Sequence, residues 1–285
     1  MLFSLDAGPV TLDVTLRGPV RAEHEALVRD RLSAFVVPPS TPSGASAFPG
    51  PPRPARRITC DWTLTDGAWV DYAADGGGEQ PMATALSPTA WWAEWCYYRA
   101  SFTDTRSDGL VSGRHPGLEH ALRAAAVFGT MPRDALFFHA ATLVIDGRAW
   151  MFAGLPNAGK STLAAEAESE RVISNEISVC ALRDGVWTAL PSPFWGTGDV
   201  AERAAPAPLA GAVVLTQATE RNVWARLTGG SAIAALMPHV GCQAAAQLAD
   251  PRLLGQLSAL AGAIPVGSLA WYRQAQPLEG LPWKP

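Results

Sequence analysis

The segment Gly154-Leu155-Pro156-Asn157-Ala158-Gly159-Lys160-Ser161 constrains this chain more than any other. It matches G-x-x-x-x-G-K-[ST] at every fixed position, the pattern of a glycine-rich loop that wraps a phosphate. Its flanks agree. An apolar stretch, Ala149 to Ala153, runs into it, and a helix-forming stretch, Thr162 to Glu168, runs out of it. Strand, glycine-rich turn and helix is the order that aims backbone N–H groups and a helix N-terminus at an anion. The expected fold class is therefore α/β, with this loop at the end of a strand.

Each residue type in the loop has a task. Gly154 and Gly159 permit the backbone geometry and the close approach of a phosphate. Leu155, Pro156, Asn157 and Ala158 form the loop between them. Lys160 is a flexible point charge placed to reach β and γ phosphates, and Ser161 offers its hydroxyl to Mg²⁺. Thr162 begins the helix, within reach of an α-phosphate. The expected ligand set is thus 154–162 for nucleotide, with ATP and Mg²⁺ as cofactors.

A phosphate loop needs an acid for the metal and, for phosphoryl transfer, an acceptor held in line. The apolar strand Ala212 to Leu215 ends in Thr216-Gln217, without an acid. The better candidate is Glu176, in Val172-Ile173-Ser174-Asn175-Glu176, which lies 15 residues past Ser161, where the first strand after the helix can return beside the loop. Glu176 reads as magnesium ligand, as base toward a hydroxyl, or as both through water; the competing reading is a solvent-facing turn pair. Asn175 is a further candidate to orient phosphate or acceptor, but it cannot take a proton. His139 stands in an apolar run two strands back. It is either a packed histidine or a site residue carried beside the loop by the Asp146-Gly147 hairpin. Asp199, Arg203, Arg221 and Arg226 are other contributors among which the sequence does not choose.

The remaining 130 N-terminal residues read as a smaller α+β region. Val10–Leu16 and Arg57–Leu64 alternate as strands, and Ala68–Tyr72 pairs back as a hairpin. Glu23–Phe35 is a helix, or a turn and a strand. Residues 38–56 form a Pro/Gly-rich loop. Thr89–Ser101, with Trp91, Trp92, Trp95, Tyr97 and Tyr98, is predicted helical, as is His115–Phe128. Beyond the loop the pattern predicts strands at 171–182, 186–190, 209–215 and 265–271, and helices near 229–237 and 242–262. A tail follows at 277–285. The segment 191–199 and the Trp-rich stretch are the predicted cavity walls.

Composition trims the function classes. With 22 basic and 26 acidic residues the net charge is −4, and no long basic block occurs, which argues against a nucleic-acid surface. No run of 18 apolar residues suggests a membrane span. Four widely spaced cysteines and no basic–apolar leader point to reduced thiols in a cytoplasmic protein.

Phe138-His139-Ala140, Ile145-Asp146-Gly147, the loop ending Gly159-Lys160-Ser161-Thr162-Leu163, and Val172–Glu176 together resemble the HPr serine kinase/phosphorylase family and its small kinase-like relatives. The resemblance is clearest over 135–200 and weaker to about 272. It implies a phosphoenolpyruvate-carboxykinase-like P-loop core over residues 131–276, following the α+β region at 1–130. It also implies ATP- and Mg²⁺-dependent phosphorylation of a serine-like hydroxyl in a peptide, protein or small molecule. On this resemblance His139 falls on an active-site histidine, Lys160 and Ser161 on phosphate and metal ligands, and Glu176 on the base. The family carries two aspartates where this chain has Asn175 and Glu176. The alternative function is therefore a nucleotide-binding regulator or scaffold with weak or no turnover.

Overall fold

The computed structural model describes residues 1–37, 56–66, 82–87, 89–114, 116–131, 135–167, 171–194, 204–241 and 245–272. It is mixed α/β and mostly sheet. Contacts divide it into two units, Met1–Arg133 with Cys242–Asp250, and Asp134–Gly241 with Pro251–Pro285. The predicted loop at 38–55, the strand 68–72, the tail 277–285, and Asp199 and Arg203 lie outside the described residues. Arg56 already belongs to a strand.

The first unit holds strands β1 (Leu2–Asp6), β2 (Val10–Arg17), β3 (Val36–Val37), β4 (Arg56–Thr65), β5 (Met82–Ser87), β6 (Ala90–Trp95), β7 (Tyr98–Thr103) and β8 (Arg106–Ser112), with helices α1 (Ala22–Ala26) and α2 (Gly117–Thr130). They form one sheet in the order β3-β1-β2-β4-β8-β7-β6-β5. The pairs β2–β4 and β4–β8 are parallel, and the rest are antiparallel. The core is the inward half of each strand. Val10, Leu12, Val14, Ile58, Cys60 and Trp62 are fully buried. Helix α2 covers the sheet with Leu118, Ala121, Leu122 and Ala125, and its Phe128 stacks on Phe102 at 4.9 Å.

The Trp-rich stretch is not a helix. Residues 90–103 form the β6–β7 hairpin, with Trp95 opposite Tyr98. Its burial has period two: Tyr98, Ala100 and Phe102 are buried while Arg99, Ser101 and Thr103 are not. Trp91 faces in and Trp92 is exposed. Aromatic side chains fit a pleated, half-buried surface, and that preference outweighs the apparent helical spacing at 91, 92 and 95.

The second unit holds β9 (Leu136–Ile145), β10 (Arg148–Gly154), α3 (Lys160–Glu166), β11 (Val172–Ser174), β12 (Ile177–Arg183), β13 (Val186–Leu190), β14 (Ala207–Gln217), β15 (Val223–Leu227) and α4 (Gly229–Leu236). Helix α5 (Ala245–Leu248) belongs to the first unit, and α6 (Pro251–Ala263) and β16 (Val266–Trp271) complete the second. The single helix predicted at 242–262 is thus two, the second opening on Pro251, a residue suited to a first helical turn and not to an interior. Two tight hairpins match their turn chemistry. Asp146-Gly147 and Asp184-Gly185 all have positive φ, as a two-residue hairpin turn requires.

The ladders of this unit close on themselves. β9 pairs with β10, β10 with β14, β14 with β13, β13 with β12, and β12 returns to β9. Strand β9 completes the ring because its first residues, 136–139, pair with β12 while 140–145 pair with β10. Strands β10, β14 and β16 run parallel. Their carboxyl ends open on one side, which is where open α/β sheets place ligands.

Candidate functional site

The phosphate-loop segment leaves the carboxyl end of β10 and enters α3. Two features need glycine. Gly159 has φ +107°, and a Cβ on it would meet the Trp271 ring at 2.3 Å. A Cβ on Gly154 would lie 2.8 Å from the Ala158 Cβ and 2.9 Å from the Leu215 carbonyl oxygen. Asn157 takes φ +66°, a left-handed conformation that Asn tolerates better than most residues. Its carbonyl accepts a hydrogen bond from Gln217 Nε2 at 2.7 Å. The loop is thus held by an amide at the end of β14, the strand end searched above for an acid.

Around the loop lies a cavity of about 500 Å³, lined by Asn157 to Thr162, Gln217, Ala218 and Trp271. That is within the range of small-molecule sites. Every lining residue is at the carboxyl end of β10, β14 or β16 or on the loop itself. Of the predicted walls, the Trp-rich stretch belongs to the first unit and is not among these residues.

Lys160 is only 6% exposed. Its ammonium donates to the Gly154 carbonyl at 2.7 Å and the Leu155 carbonyl at 3.2 Å, so the charge is turned into the loop. Burial pushes its pKa down, and the Glu176 carboxylate opposes that shift. Ser161 is exposed and Thr162 half-buried.

Glu176 sits where the predicted strand 171–182 breaks into β11 and β12. Its backbone carbonyl accepts from Ala140 N–H at 3.0 Å, and its Oε1 lies 3.3 Å from His139 Nδ1. Both side chains are roughly one third exposed, so the pair is open to a ligand. Three buried hydroxyls pin the break. Ser178 donates to the Ala140 carbonyl at 2.9 Å and therefore accepts from Thr142 at 2.6 Å and Ser174 at 2.7 Å. Asn175 is half-buried beside them.

Glu176 and His139 thus form a contact pair, and neither is among the residues lining the cavity. Arg221 and Arg226 are exposed, in the turn before β15 and on β15, and neither lines the cavity. Sequence reasoning missed three contributors. Gln217 straps the loop, and Trp271 walls it. His239 lies in the 3₁₀ turn Met237–His239 after α4. It is 6% exposed. Burial lowers its pKa first, and Lys160 and His139 lower it further. No local pattern marks His239; only the docking of its turn on β9 brings it here.

Among the described residues no group of three or more His, Cys, Asp or Glu could hold a metal by itself. Magnesium is commonly held by one or two carboxylates with phosphate oxygens and water. The hard oxygens of Ser161 and Glu176 fit that donor set. No protein-family model matches the chain, and no curated protein matches it.

Proposed function

We propose that the second unit binds ATP with Mg²⁺ and transfers the terminal phosphoryl group to a serine-like hydroxyl of a peptide, protein or small molecule. This reading takes the unit as a phosphoenolpyruvate-carboxykinase-like P-loop core of the HPr-kinase type. The observation that carries it is the phosphate-loop sequence at the carboxyl end of β10, running into α3 beside a cavity of about 500 Å³. In this mechanism the backbone of 154–162 holds the phosphates, and Lys160 neutralises their charge. Glu176 accepts the proton of the acceptor hydroxyl, and His139 orients the carboxylate through the 3.3 Å contact. Bound Mg²⁺ would supply charge neutralisation on the phosphates, with Ser161 and Glu176 as its protein ligands. The site belongs to a chain we place in the cytoplasm.

The test has two stages. Calorimetry with the β,γ-imido analogue of ATP and Mg²⁺ should show binding that Lys160→Ala abolishes; unchanged binding in that variant would sink the reading. Labelled ATP with serine peptides and small hydroxyl compounds should then give transfer that Glu176→Ala removes.

A second reading has its own support. Amides, Asn175 and Gln217, stand at both positions where acids were sought. A nucleotide-binding regulator or scaffold would show Lys160-dependent binding with no acceptor-dependent transfer.

A further inference from the structure

The turn inside the phosphate-loop segment is held from outside it. Ala158 N–H donates to the Leu155 carbonyl at 3.1 Å, which closes a four-residue turn over Leu155-Pro156-Asn157-Ala158. Pro at the second position and φ +66° at Asn157, the third, are the marks of a type II turn. A type I turn closes with the same hydrogen bond and asks no positive φ of its third residue. For a residue other than glycine that is the less strained choice. The turn's own bond therefore does not keep Asn157 left-handed. Gln217 reaches the same residue from the end of β14, its Nε2 donating to the Asn157 carbonyl at 2.7 Å. The Asn157–Ala158 peptide is clamped at both ends, its N–H by Leu155 and its carbonyl by Gln217. It immediately precedes Gly159, whose φ of +107° turns the chain into Lys160.

The base of this strap is itself fixed on both sides. In β14, Leu215 pairs with Gly154 of β10, and Gln217 pairs with Trp271 of β16. Ala218 N–H adds a bond to the Trp271 carbonyl at 2.9 Å. Gln217 and the residues it holds, Asn157 to Gly159, all line the cavity. We infer that Gln217 is a positioning residue for phosphate binding. Its hydrogen bond to the Asn157 carbonyl keeps the loop in the shape that receives phosphates before any ligand arrives. The inference rests on the nucleotide reading above. A ligand that meets a preformed loop does not bear the cost of ordering it. Gln217 acts through the loop and not on the transferred group, so a diphosphate should feel its loss as much as a triphosphate.

The experiment is calorimetric binding of Mg²⁺ with the β,γ-imido ATP analogue and, separately, with ADP. Gln217→Met keeps the length of the side chain and loses the donor. It should weaken both ligands alike, about 3- to 10-fold, the worth of one neutral hydrogen bond. Gln217→Glu, which at pH 7 offers that carbonyl only acceptors, should weaken both at least as much. The side chain is exposed, so neither substitution opens the core. The carbonyl ¹³C resonance of Asn157 separates positioning from direct contact, and it should move in ligand-free Gln217→Met. Affinity that falls while this resonance stays still means that Gln217 meets the ligand itself, and overturns the inference. Unchanged binding in Gln217→Met, or a loss confined to the analogue, overturns it too. Lys160→Ala keeps the two levels apart. If it abolishes binding while Gln217→Met binds as the wild type does, only this inference fails. If Lys160→Ala binds as the wild type does, the nucleotide reading itself fails.

Discussion

The two units use their charged side chains in opposite ways. In the first, charges are spent on one another. Arg57 grips Asp13 through two nitrogens, Ser4 adds a hydrogen bond to the same carboxylate at 2.6 Å, and Arg106 bridges Asp61 and Asp108. In the second, Lys160 is buried against carbonyls, and among the described residues it forms no ion pair within 4.0 Å. Glu176 has one histidine at 3.3 Å, and His239 is buried at 6% exposure. A surface that satisfies its charges internally is a scaffold. A buried lysine that among the described residues has no ion pair within 4.0 Å, on a phosphate-loop sequence, is a candidate binding group. The difference also separates stability from function. Changes in the first unit should be felt in folding, and changes in the cluster in binding.

The largest effect expected is from Gly159→Ala. The left-handed φ of +107° and the Trp271 ring at 2.3 Å oppose a Cβ at once. The loop must move or the indole must leave the cavity wall. A misplacement near 1 Å can cost on the order of 100-fold where geometry is exacting. Binding of the imido ATP analogue should fall by about that factor. Stability should fall by only about 1–3 kcal/mol, the cost of one strained backbone position. If binding survives intact, the loop is not the ligand cradle and the contrast between the units collapses.

How much of this was legible in the sequence follows from the range over which each signal acts. The Asp146-Gly147 hairpin, the strand into the loop and helix α2 are local patterns and appear where predicted. The mixed α/β class follows from the same elements. The β6–β7 hairpin was misread because three tryptophans at 91, 92 and 95 fit a helical face as well as a strand, and only the buried alternation of Tyr98, Ala100 and Phe102 decides. Strand β8 escaped notice because Gly109 interrupts its pattern; there a Cβ would meet the Arg99 carbonyl oxygen at 2.3 Å, so a packing demand hides the strand. At the candidate site, Lys160, Glu176 and His139 were named in advance because motif and spacing announce them. Gln217, Trp271 and His239 were not, because their roles come from long-range pairings: β10 with β14, β14 with β16, and the turn after α4 with β9.

Two substitutions of smaller effect sharpen the comparison from each side. Ser178→Ala removes the common partner of Thr142 and Ser174 and the donor to the Ala140 carbonyl. Leaving buried polar groups unpaired should cost about 1–3 kcal/mol in denaturant unfolding. Because this cluster fixes the break that carries Glu176, phosphoryl transfer should fall more than nucleotide affinity. Equal losses of both would show that the hydroxyls do not position the carboxylate. Asp13→Asn in the first unit should cost about 1 kcal/mol or less, as for a partly exposed ion pair. Its nucleotide affinity should match the wild type; a clear drop would break the division between the units.

The smallest effect expected is in the pH dependence, and its pH window differs between the two regions. Burial, with Lys160 and His139, lowers the His239 pKa in the folded protein. Below the ordinary value of about 6.5 the unfolded chain takes up a proton that the folded chain resists. The unfolded state then binds more protons, so stability must fall as pH falls through that region. Burial opposes ionisation of Asp13, but hydrogen bonds from Arg57 and Ser4 outweigh it and the net shift is downward. Its contribution is present above about pH 4 and is lost only as pH drops further, through its folded value. Thermal melts of the wild type, His239→Gln and Asp13→Asn across this range separate the terms. His239→Gln should flatten the decline between about pH 7 and 5.5, and Asp13→Asn should flatten only the acid limb below about pH 4. A decline near pH 6 that His239→Gln leaves untouched would mean that the buried imidazole is already compensated in the folded state, and the cluster would then be no less satisfied than the ion pairs of the first unit.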